Sequence, residues 1–254
     1  MARIPAELSA LLDDLVARLP VLLGRNLVGI YLYGSLTQSA FNPARSDVDC
    51  IVATTRALSD GQYRRLREWL ALSTKSNPWT ARLQMSFLLR DEVLTRNSPS
   101  CLYQFGKLKR SRSDANPIIW MNILKSGVIL YGPRPESFVP PITQQIMFRA
   151  LVREVGYLRE EITEKRQSKW RNVQFYRAYA VLTLCRILYS FRMGAVTSKP
   201  RAAKWAIDQL PNELSEIVVQ ALVSDAGKLQ RRISLRRISQ FIDFVDAQLH
   251  ATRS

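Results

Sequence analysis

Residues 31–35 read YLYGS and residues 46–52 read SDVDCIV, and these two stretches decide the fold. Both are rich in aromatic, β-branched and other apolar residues, so each is predicted to contain a buried strand. The first strand ends at Gly34, and the second opens with Asp47 and Asp49. Because side chains alternate along a strand, the two aspartates project to the same face. The segment therefore predicts a glycine turn and two carboxylates on one side of a sheet.

Two carboxylates in this arrangement suit Mg²⁺, a hard cation that prefers oxygen ligands. Two such ions can activate an attacking oxygen and stabilise a leaving pyrophosphate. Gly34 lets the backbone approach a phosphate without a Cβ in the way, and Ser35 and Ser46 can donate hydrogen bonds to phosphate oxygens. The segment therefore predicts nucleotidyl transfer from a nucleoside triphosphate, with two Mg²⁺ ions held by Asp47 and Asp49.

The same stretches resemble the GS and DxD signature of polymerase-β-superfamily nucleotidyltransferases. Residues 31–35 and 46–52 are similar to the wording HLYGS and SDIDLLV of aminoglycoside (3″)(9) adenylyltransferases. Further along, residues 181–190, VLTLCRILYS, and 204–211, KWAIDQLP, resemble VLTLSRIWYS and DWAMERLP of that family. The resemblance runs in order through both halves of the chain, and it implies ATP as the nucleotide.

In that family, an arginine and a lysine of the helical domain reach the nucleotide triphosphate. The resemblance assigns these roles to Arg186 and Lys199. Two cations that face a triphosphate across a domain cleft are physically sensible. Without the resemblance, a helix-surface ion-pair partner is the favoured interpretation of Arg186.

A proline-rich segment divides the chain. Residues 132–141 read GPRPESFVPP, and four of these ten residues are proline, so helix and strand both stop there. Strand patterns precede this segment, and almost wholly helical patterns follow it. We therefore predict an α/β protein with an N-terminal mixed-sheet nucleotidyltransferase domain, residues 1–135. A C-terminal all-helical domain, residues 142–254, binds the substrate.

The third strand, predicted over residues 82–90, departs from the family pattern, because Gln84 stands where the resemblance implies a catalytic glutamate. A neutral amide neither accepts a hydroxyl proton nor binds Mg²⁺ as a carboxylate does. One hypothesis is that Asp91 or Glu92 serves instead, and another is that metal or the acceptor's own phosphate activates the acceptor. The protein could also bind nucleotide with little catalysis, or the glutamine could be an engineered substitution. As a further alternative, Gln84 is an ordinary polar residue of a half-buried strand.

The charge of the chain bears on the acceptor. The formal net charge is +16, from 37 Lys and Arg against 21 Asp and Glu, which favours polyanionic partners. The acidic stretch that the family presents to its polycationic acceptor corresponds to residues 172–178, which contain no acid, and residues 165–171 just before it are rich in Lys and Arg. Together with nearby aromatic residues, these cations suit phosphates and stacked bases, whereas a solvated basic helix is the simpler interpretation. We therefore predict a nucleic acid, such as RNA or tRNA, or another anionic acceptor. The alternatives are an aminoglycoside acceptor and a catalytically impaired nucleotide-binding or RNA-binding protein.

The histidine, cysteine and apolar residues of the chain exclude several other classes of protein. The single histidine, His250, excludes a Ser-His-Asp triad and a histidine-rich zinc site. Three scattered cysteines suit a reducing cytoplasm rather than a disulfide framework. No run of about 18 apolar residues occurs, so neither a transmembrane helix nor a membrane partner is predicted.

Overall fold

The computed structural model of the chain describes residues 4–225 and 232–251. The chain divides into two compact units, Met1–Pro141 and Ile142–Ser254. The first unit is built on a mixed sheet, and the described part of the second unit contains helices and no strand. The predicted fold class is therefore confirmed. None of the helices within the described residues combines the length and the apolar character that a membrane span requires.

Six strands form the sheet of the first unit: β1 Leu27–Tyr33, β2 Val48–Thr54, β3 Leu83–Leu89, β4 Pro99–Gln104, β5 Lys107–Arg112 and β6 Val128–Tyr131. Their order across the sheet is β5-β4-β3-β2-β1-β6. Strands β2 and β3 are parallel, and every other neighbouring pair is antiparallel. Because β2 and β3 run the same way, their N-terminal ends meet at one edge of the sheet. This edge carries Asp49 and Gln84, which are paired in register.

Three helices complete the first unit: α1 Ala6–Leu23, α2 Asp60–Ser76 and α3 Pro117–Ser126. The leucines of α1 recur every three or four residues, so they form one apolar stripe, and five of them are buried. Helix α2 begins with a capping box formed by Ser59 and Gln62. Helices α1 and α2 share one core with Val48, Cys50 and Val52 of β2. On the opposite face of β2, Ile51 and Ala53 are buried as well, and Asp49 is the polar residue at its start.

The proline-rich segment, residues 132–141, packs onto the first unit. The Tyr31 hydroxyl donates a hydrogen bond to the carbonyl oxygen of Pro133, at 2.9 Å. The Phe138 ring lies 5.9 Å from the Tyr31 ring and 5.8 Å from the Trp120 ring of α3, between centroids. The segment therefore covers one end of the sheet face that carries Tyr31.

The described residues of the second unit form six α-helices: α4 Gln144–Arg159, α5 Lys169–Asn172, α6 Gln174–Met193, α7 Lys199–Gln209, α8 Asn212–Asp225 and α9 Leu235–Ala251. A short π-helical turn, Glu160–Glu164, continues from the end of α4. Helix α6 is apolar on most sides, and most of its residues are buried. It therefore forms the centre of the unit, and α4, α7, α8 and α9 pack around it.

Candidate active site

Gly34 and the carboxylate of Asp49 are in close contact. Gly34 follows β1 directly and has φ +79°, a conformation that favours glycine. A Cβ at this position would lie 2.2 Å from Oδ2 of Asp49. Asp47 precedes β2 and is hydrogen-bonded to Gln84, which pairs in register with Asp49, the second residue of β2. The structure thus unites the glycine turn and the two aspartates that the sequence singled out.

Gln84 lies in the same cluster. Its Nε2 donates a hydrogen bond to Oδ2 of Asp47, at 2.7 Å, and its Oε1 accepts one from Nε2 of Gln104, at 3.1 Å. Position 84 is therefore directly beside the acidic pair, where the resemblance implied a catalytic glutamate. The side chain found there is a hydrogen-bond donor to Asp47.

Asp91 and Glu92 lie at the opposite end of β3. The strand runs parallel to β2 from its pair with Val48 to its pair with Thr54, and both acids follow its last residue. The strand from Gln84 to Leu89 spans roughly 17 Å at the usual rise per residue, and both acids lie in the 3-10 turn beyond it. Asp91 is also ion-paired with Arg90, at 2.8 Å. The structure therefore does not bring either of these acids to the acidic pair.

Arg82 anchors the loop that leads into Asp47, a role that the sequence analysis missed. Its guanidinium donates hydrogen bonds to the carbonyl oxygens of Pro43, at 2.6 Å, and of Ser46. The guanidinium carbon also lies 4.2 Å from the centroid of the Trp79 ring. These contacts fix the backbone just before the first aspartate, so Arg82 helps to set the position of Asp47. A lone arginine at the start of a predicted strand gives no sequence signal for such a role.

Ser35 and Ser46 lie on the two loops beside the acidic pair. Ser35 belongs to a short 3-10 turn, Gly34–Leu36, which begins where β1 ends. The Ser46 hydroxyl oxygen accepts a hydrogen bond from the backbone N–H of Asn42, at 2.9 Å, and the O–H can still donate. Both serines are partly exposed. Their positions are compatible with the predicted contacts to phosphate oxygens.

Among the described residues, no group of three or more His, Cys, Asp or Glu side chains could hold a metal ion. The acidic pair is therefore a two-carboxylate site, with the neutral amide of Gln84 on one of its oxygens. Two carboxylates fit Mg²⁺, because this ion usually takes one or two carboxylates and completes its shell with water and phosphate oxygens.

Lys199 and Arg186 face the same side of α6 in the second unit. Lys199 is the first residue of α7, and its Nζ lies 3.5 Å from the centroid of the Tyr179 ring. Tyr179 and Arg186 are seven residues apart, about two helical turns, so they lie on one stripe of α6. Within the described part of this unit, Arg186 forms no ion pair. Within the described part of the second unit, no contact supports the alternative role of Arg186 as an ion-pair partner.

An aromatic cluster surrounds Trp170 in the second unit. Its ring centroid lies 5.8 Å from that of Tyr157, 5.4 Å from that of Tyr176 and 5.2 Å from that of Tyr179. Tyr157 is 43% exposed, so part of the cluster faces solvent. Burial, together with the nearby charge of Glu161, raises the pKa of Tyr157. The cluster therefore has carboxylate charge beside it as well as the lysines predicted from the sequence.

Much of the basic charge in this region is engaged within the unit. Arg177, at the position of the family's acidic stretch, is buried, and its guanidinium donates to the carbonyl oxygens of Arg171, at 2.6 Å, and Ile233, at 2.7 Å. Burial lowers the pKa of Arg177. Lys165 is ion-paired with Glu161, at 2.8 Å. The repulsion of a cationic acceptor that the sequence suggested is therefore weaker than a count of charges implies.

Comparisons with known proteins agree with this geometry. Residues 137–249 match the family described as aminoglycoside adenylyltransferase, C-terminal domain. An aminoglycoside (3″)(9) adenylyltransferase of Escherichia coli is 26% identical over 267 residues, covering 96% of this chain and 95% of its own. A spectinomycin 9-adenylyltransferase of Campylobacter jejuni is 23% identical, with 85% of each chain covered. A solved spectinomycin adenyltransferase of Enterococcus faecialis, crystallised with ATP and spectinomycin, has the same fold. Its TM-score is 0.70 at 18% identity, covering 94% of this chain and 98% of that one.

The mixed sheet, the acidic pair beside a glycine turn and these likenesses define an enzyme that transfers nucleotidyl groups. More narrowly, the chain is a nucleotidyltransferase similar to aminoglycoside (3″)(9) adenylyltransferases.

Proposed function

We propose that the chain transfers the AMP group of ATP to a hydroxyl of an aminoglycoside-type acceptor. The observation that carries the proposal is the cluster of Gly34, Asp47, Asp49 and Gln84 at one edge of the sheet. This cluster offers acidic oxygens and a close backbone approach, which the triphosphate of a nucleotide requires. The curated relatives supply the identity of the nucleotide and of the acceptor, because they are named for adenylyl transfer to aminoglycosides or spectinomycin.

Asp47 and Asp49 would hold the Mg²⁺ ions that accompany the triphosphate. When bound, Mg²⁺ polarises the phosphoryl oxygens and stabilises the charge of the leaving pyrophosphate. Gly34 leaves room for the phosphates beside Asp49, while Ser35 and Ser46 donate hydrogen bonds to them. We include Arg186 and Lys199 as cations that bind the triphosphate, which their shared side of α6 supports.

The acceptor assignment differs from the sequence-based preference for RNA. That preference rested on repulsion between a polycation and the basic residues near Trp170. Arg177 is instead bound to backbone carbonyls, and Lys165 is paired with Glu161. An aromatic cluster with carboxylates beside it can bind an ammonium group through cation–π contacts. The relatives also favour an aminoglycoside over RNA, whose binding nothing in the comparisons supports.

The amide at position 84 makes transfer slow. The acceptor hydroxyl attacks the α-phosphorus, the bond to pyrophosphate breaks, and the hydroxyl proton must leave. Gln84 donates to Asp47 and cannot take that proton, so it passes to water. Loss of a general base typically costs about 10²–10⁴-fold in rate. We therefore expect turnover well below that of a relative with glutamate at this position.

The proposal is tested by incubating the protein with Mg²⁺, α-labelled ATP and one acceptor at a time: streptomycin, spectinomycin or total tRNA. We expect label on an aminoglycoside or on spectinomycin, and none with Asp47→Ala. The Gln84→Glu variant should transfer faster, since a carboxylate at position 84 can accept the proton.

Several outcomes separate the alternatives. Label on tRNA, lost as salt concentration rises, would establish the anionic acceptor instead. Nucleotide binding without transfer to any acceptor, in both the protein and Gln84→Glu, would contradict the enzymatic proposal and favour a nucleotide-binding role. A control variant, Asp114→Asn, changes an exposed aspartate outside the cluster and should transfer at the unaltered rate.

A further inference from the structure

Gln104 belongs to a row of polar residues that crosses the sheet beside the acidic pair. Asp49 pairs with Gln84 across β2 and β3, and Gln104 pairs with Lys107 across β4 and β5. The hydrogen bond between Gln104 and Gln84 joins the two halves of the row. Residues that are paired across strands project to the same face, so Gln104 lies on the face of the acidic pair.

The hydrogen bonds of this row have a fixed direction. An ionised carboxylate only accepts hydrogen bonds, so Asp47 requires a donor from Gln84. When the Gln84 amide turns its NH₂ group to Asp47, its carbonyl oxygen faces Gln104. Gln104 must then donate, as it does at 3.1 Å. The reversed amide would place two acceptor oxygens against each other at Asp47.

Two hydrogen bonds hold this orientation of Gln84, one to Asp47 and one from Gln104. The last torsion of a glutamine side chain is broad and roughly two-fold, so the amide turns easily when only one end is bound. Gln84 is also partly exposed, and water can compete for its carbonyl oxygen. The bond from Gln104 therefore holds the other end of the amide and supports the orientation that Asp47 requires.

We propose that Gln104 is a positioning residue for nucleotidyl transfer, which acts through Gln84 to hold the carboxylate of Asp47 in place. This inference rests on the proposed function, because it assigns Asp47 to the nucleotide. Gln104 itself touches no reacting atom. It keeps the Gln84 amide donating to Asp47, and Asp47 stays oriented towards the site of the triphosphate.

Two substitutions separate positioning from packing. Gln104→Leu removes the donor, and Gln104→Glu keeps the shape but replaces the donor with an acceptor. A carboxylate at position 104 draws the NH₂ group of Gln84 towards itself and away from Asp47. Lys107, across the strand pair, offsets the added charge and keeps the fold. Positioning therefore predicts that Gln104→Glu is more harmful than Gln104→Leu, whereas packing predicts the opposite order.

The kinetic test measures kcat and the KM for ATP in these variants. We expect Gln104→Leu to lower kcat about 2–10-fold, the factor that one neutral hydrogen bond accounts for, with KM little changed. Gln104→Glu should lower kcat further. In a Gln84→Ala background, both substitutions should lose their effect, because the side chain through which Gln104 acts is gone. Ser111→Ala on β5 is the matched control and should leave kcat unchanged.

A second readout does not depend on transfer. In ¹⁵N-labelled protein, the side-chain amide signals of Gln84 are those that disappear in Gln84→Glu. They should move in Gln104→Leu and in Gln104→Glu but stay in place in Ser111→Ala. Unchanged Gln84 signals in both Gln104 variants, or a kcat order that follows packing, would overturn the role of Gln104. Absence of transfer by the unaltered protein would contradict the proposed function, and the amide signals would still decide the role of Gln104.

Discussion

The two faces of β2 and β3 differ in chemistry, although they are made from alternate residues of the same strands. On one face, Val48, Cys50 and Met85 are fully buried against α1 and α2. On the other, Asp49 and Gln84 are partly exposed beside the glycine turn. A shift of one residue in register would exchange the two faces. The core thus fixes the register, and the register places the polar side chains at the site.

This difference predicts that activity and stability can be changed separately. Substitutions of Asp49 or Gln84, at the start of the face beside the glycine turn, should lower transfer without unfolding the protein. Substitutions on the buried face should lower the free energy of unfolding without altering the chemistry of each folded molecule. Variants on one face or the other test whether activity and stability are separate.

The largest effect is expected from Asp49→Asn. The amide keeps the size of the side chain but removes one of two acidic ligands, so transfer should fall about 10³-fold or more. The free energy of unfolding should stay within about 0.5 kcal/mol, because the side chain is partly exposed and loses a charge that repels Asp47. Transfer assays and urea denaturation measure the two quantities. If the variant unfolded as well as losing activity, activity and stability would not be separable at this position.

Gly34→Ala should follow, with a loss of about 10²-fold in transfer. The new Cβ would lie 2.2 Å from Oδ2 of Asp49, so the carboxylate must move, and a displacement of about 1 Å can cost that factor. The φ of +79° adds strain of about 1–2 kcal/mol for a residue with a Cβ. Gly24→Ala is the matched control, since φ is +55° and nothing lies within 4 Å of the added Cβ. If Gly24→Ala reduced transfer equally, backbone strain and not the contact with Asp49 would be the cause.

The residues of the signature could be placed from the sequence, whereas contacts with strands that were not predicted could not. Alternation placed Asp47 and Asp49 on one face after Gly34. Gly34 is in close contact with Asp49, and Asp47 is hydrogen-bonded to Gln84, the register partner of Asp49. The resemblance identified Gln84 as the residue at the position of the base, and its bond to Asp47 agrees. The separate roles of these residues in catalysis and in nucleotide binding stay predictions.

The β4–β5 hairpin has no counterpart in the sequence-based prediction. Strand β5 reads KLKRSR, and its alternation has one buried residue, Leu108, so its composition is that of a solvated basic segment. The residue after β4, Phe105, has φ +53° in the hairpin turn, a position where glycine or asparagine is the usual signal. Because this hairpin carries Gln104, its bond to Gln84 depends on tertiary pairing and was invisible in the sequence.

The net charge of the chain was a poor guide to the acceptor for a related reason. A count of Lys and Arg near Trp170 cannot show which cations are already bound within the protein. Arg177 is buried against two backbone carbonyls, and Lys165 lies beside Glu161. Whether a cation is paired or buried depends on the folded structure, so net charge alone does not define a binding surface.

Met85→Ala tests the buried face next to Gln84. Met85 is fully buried in the core with α1 and α2, so its truncation should cost about 2–5 kcal/mol of unfolding free energy. The kcat of the folded fraction should stay the same, because the side chain points away from the acidic pair. Urea denaturation and transfer assays, corrected for the folded fraction, check both statements. A fall in kcat per folded molecule would show that core packing and the site are coupled.

The smallest effect concerns Cys50, which follows Asp49 directly but lies on the buried face. Burial, with a smaller contribution from the charge of Asp49, raises the pKa of the Cys50 thiol to about 12. The unfolded thiol ionises near its usual value of 9.0, so the unfolded state loses a proton first and stability should fall as pH rises from 9.0 towards 12. Cys50→Ala should flatten this part of the stability profile, measured by denaturation at each pH.

At pH 8 the native thiol of Cys50 should resist a thiol reagent that labels the urea-unfolded chain, because only the thiolate reacts. Rapid labelling of native Cys50 would mean that the buried face opens beside Asp49, and the two faces would then not be independent.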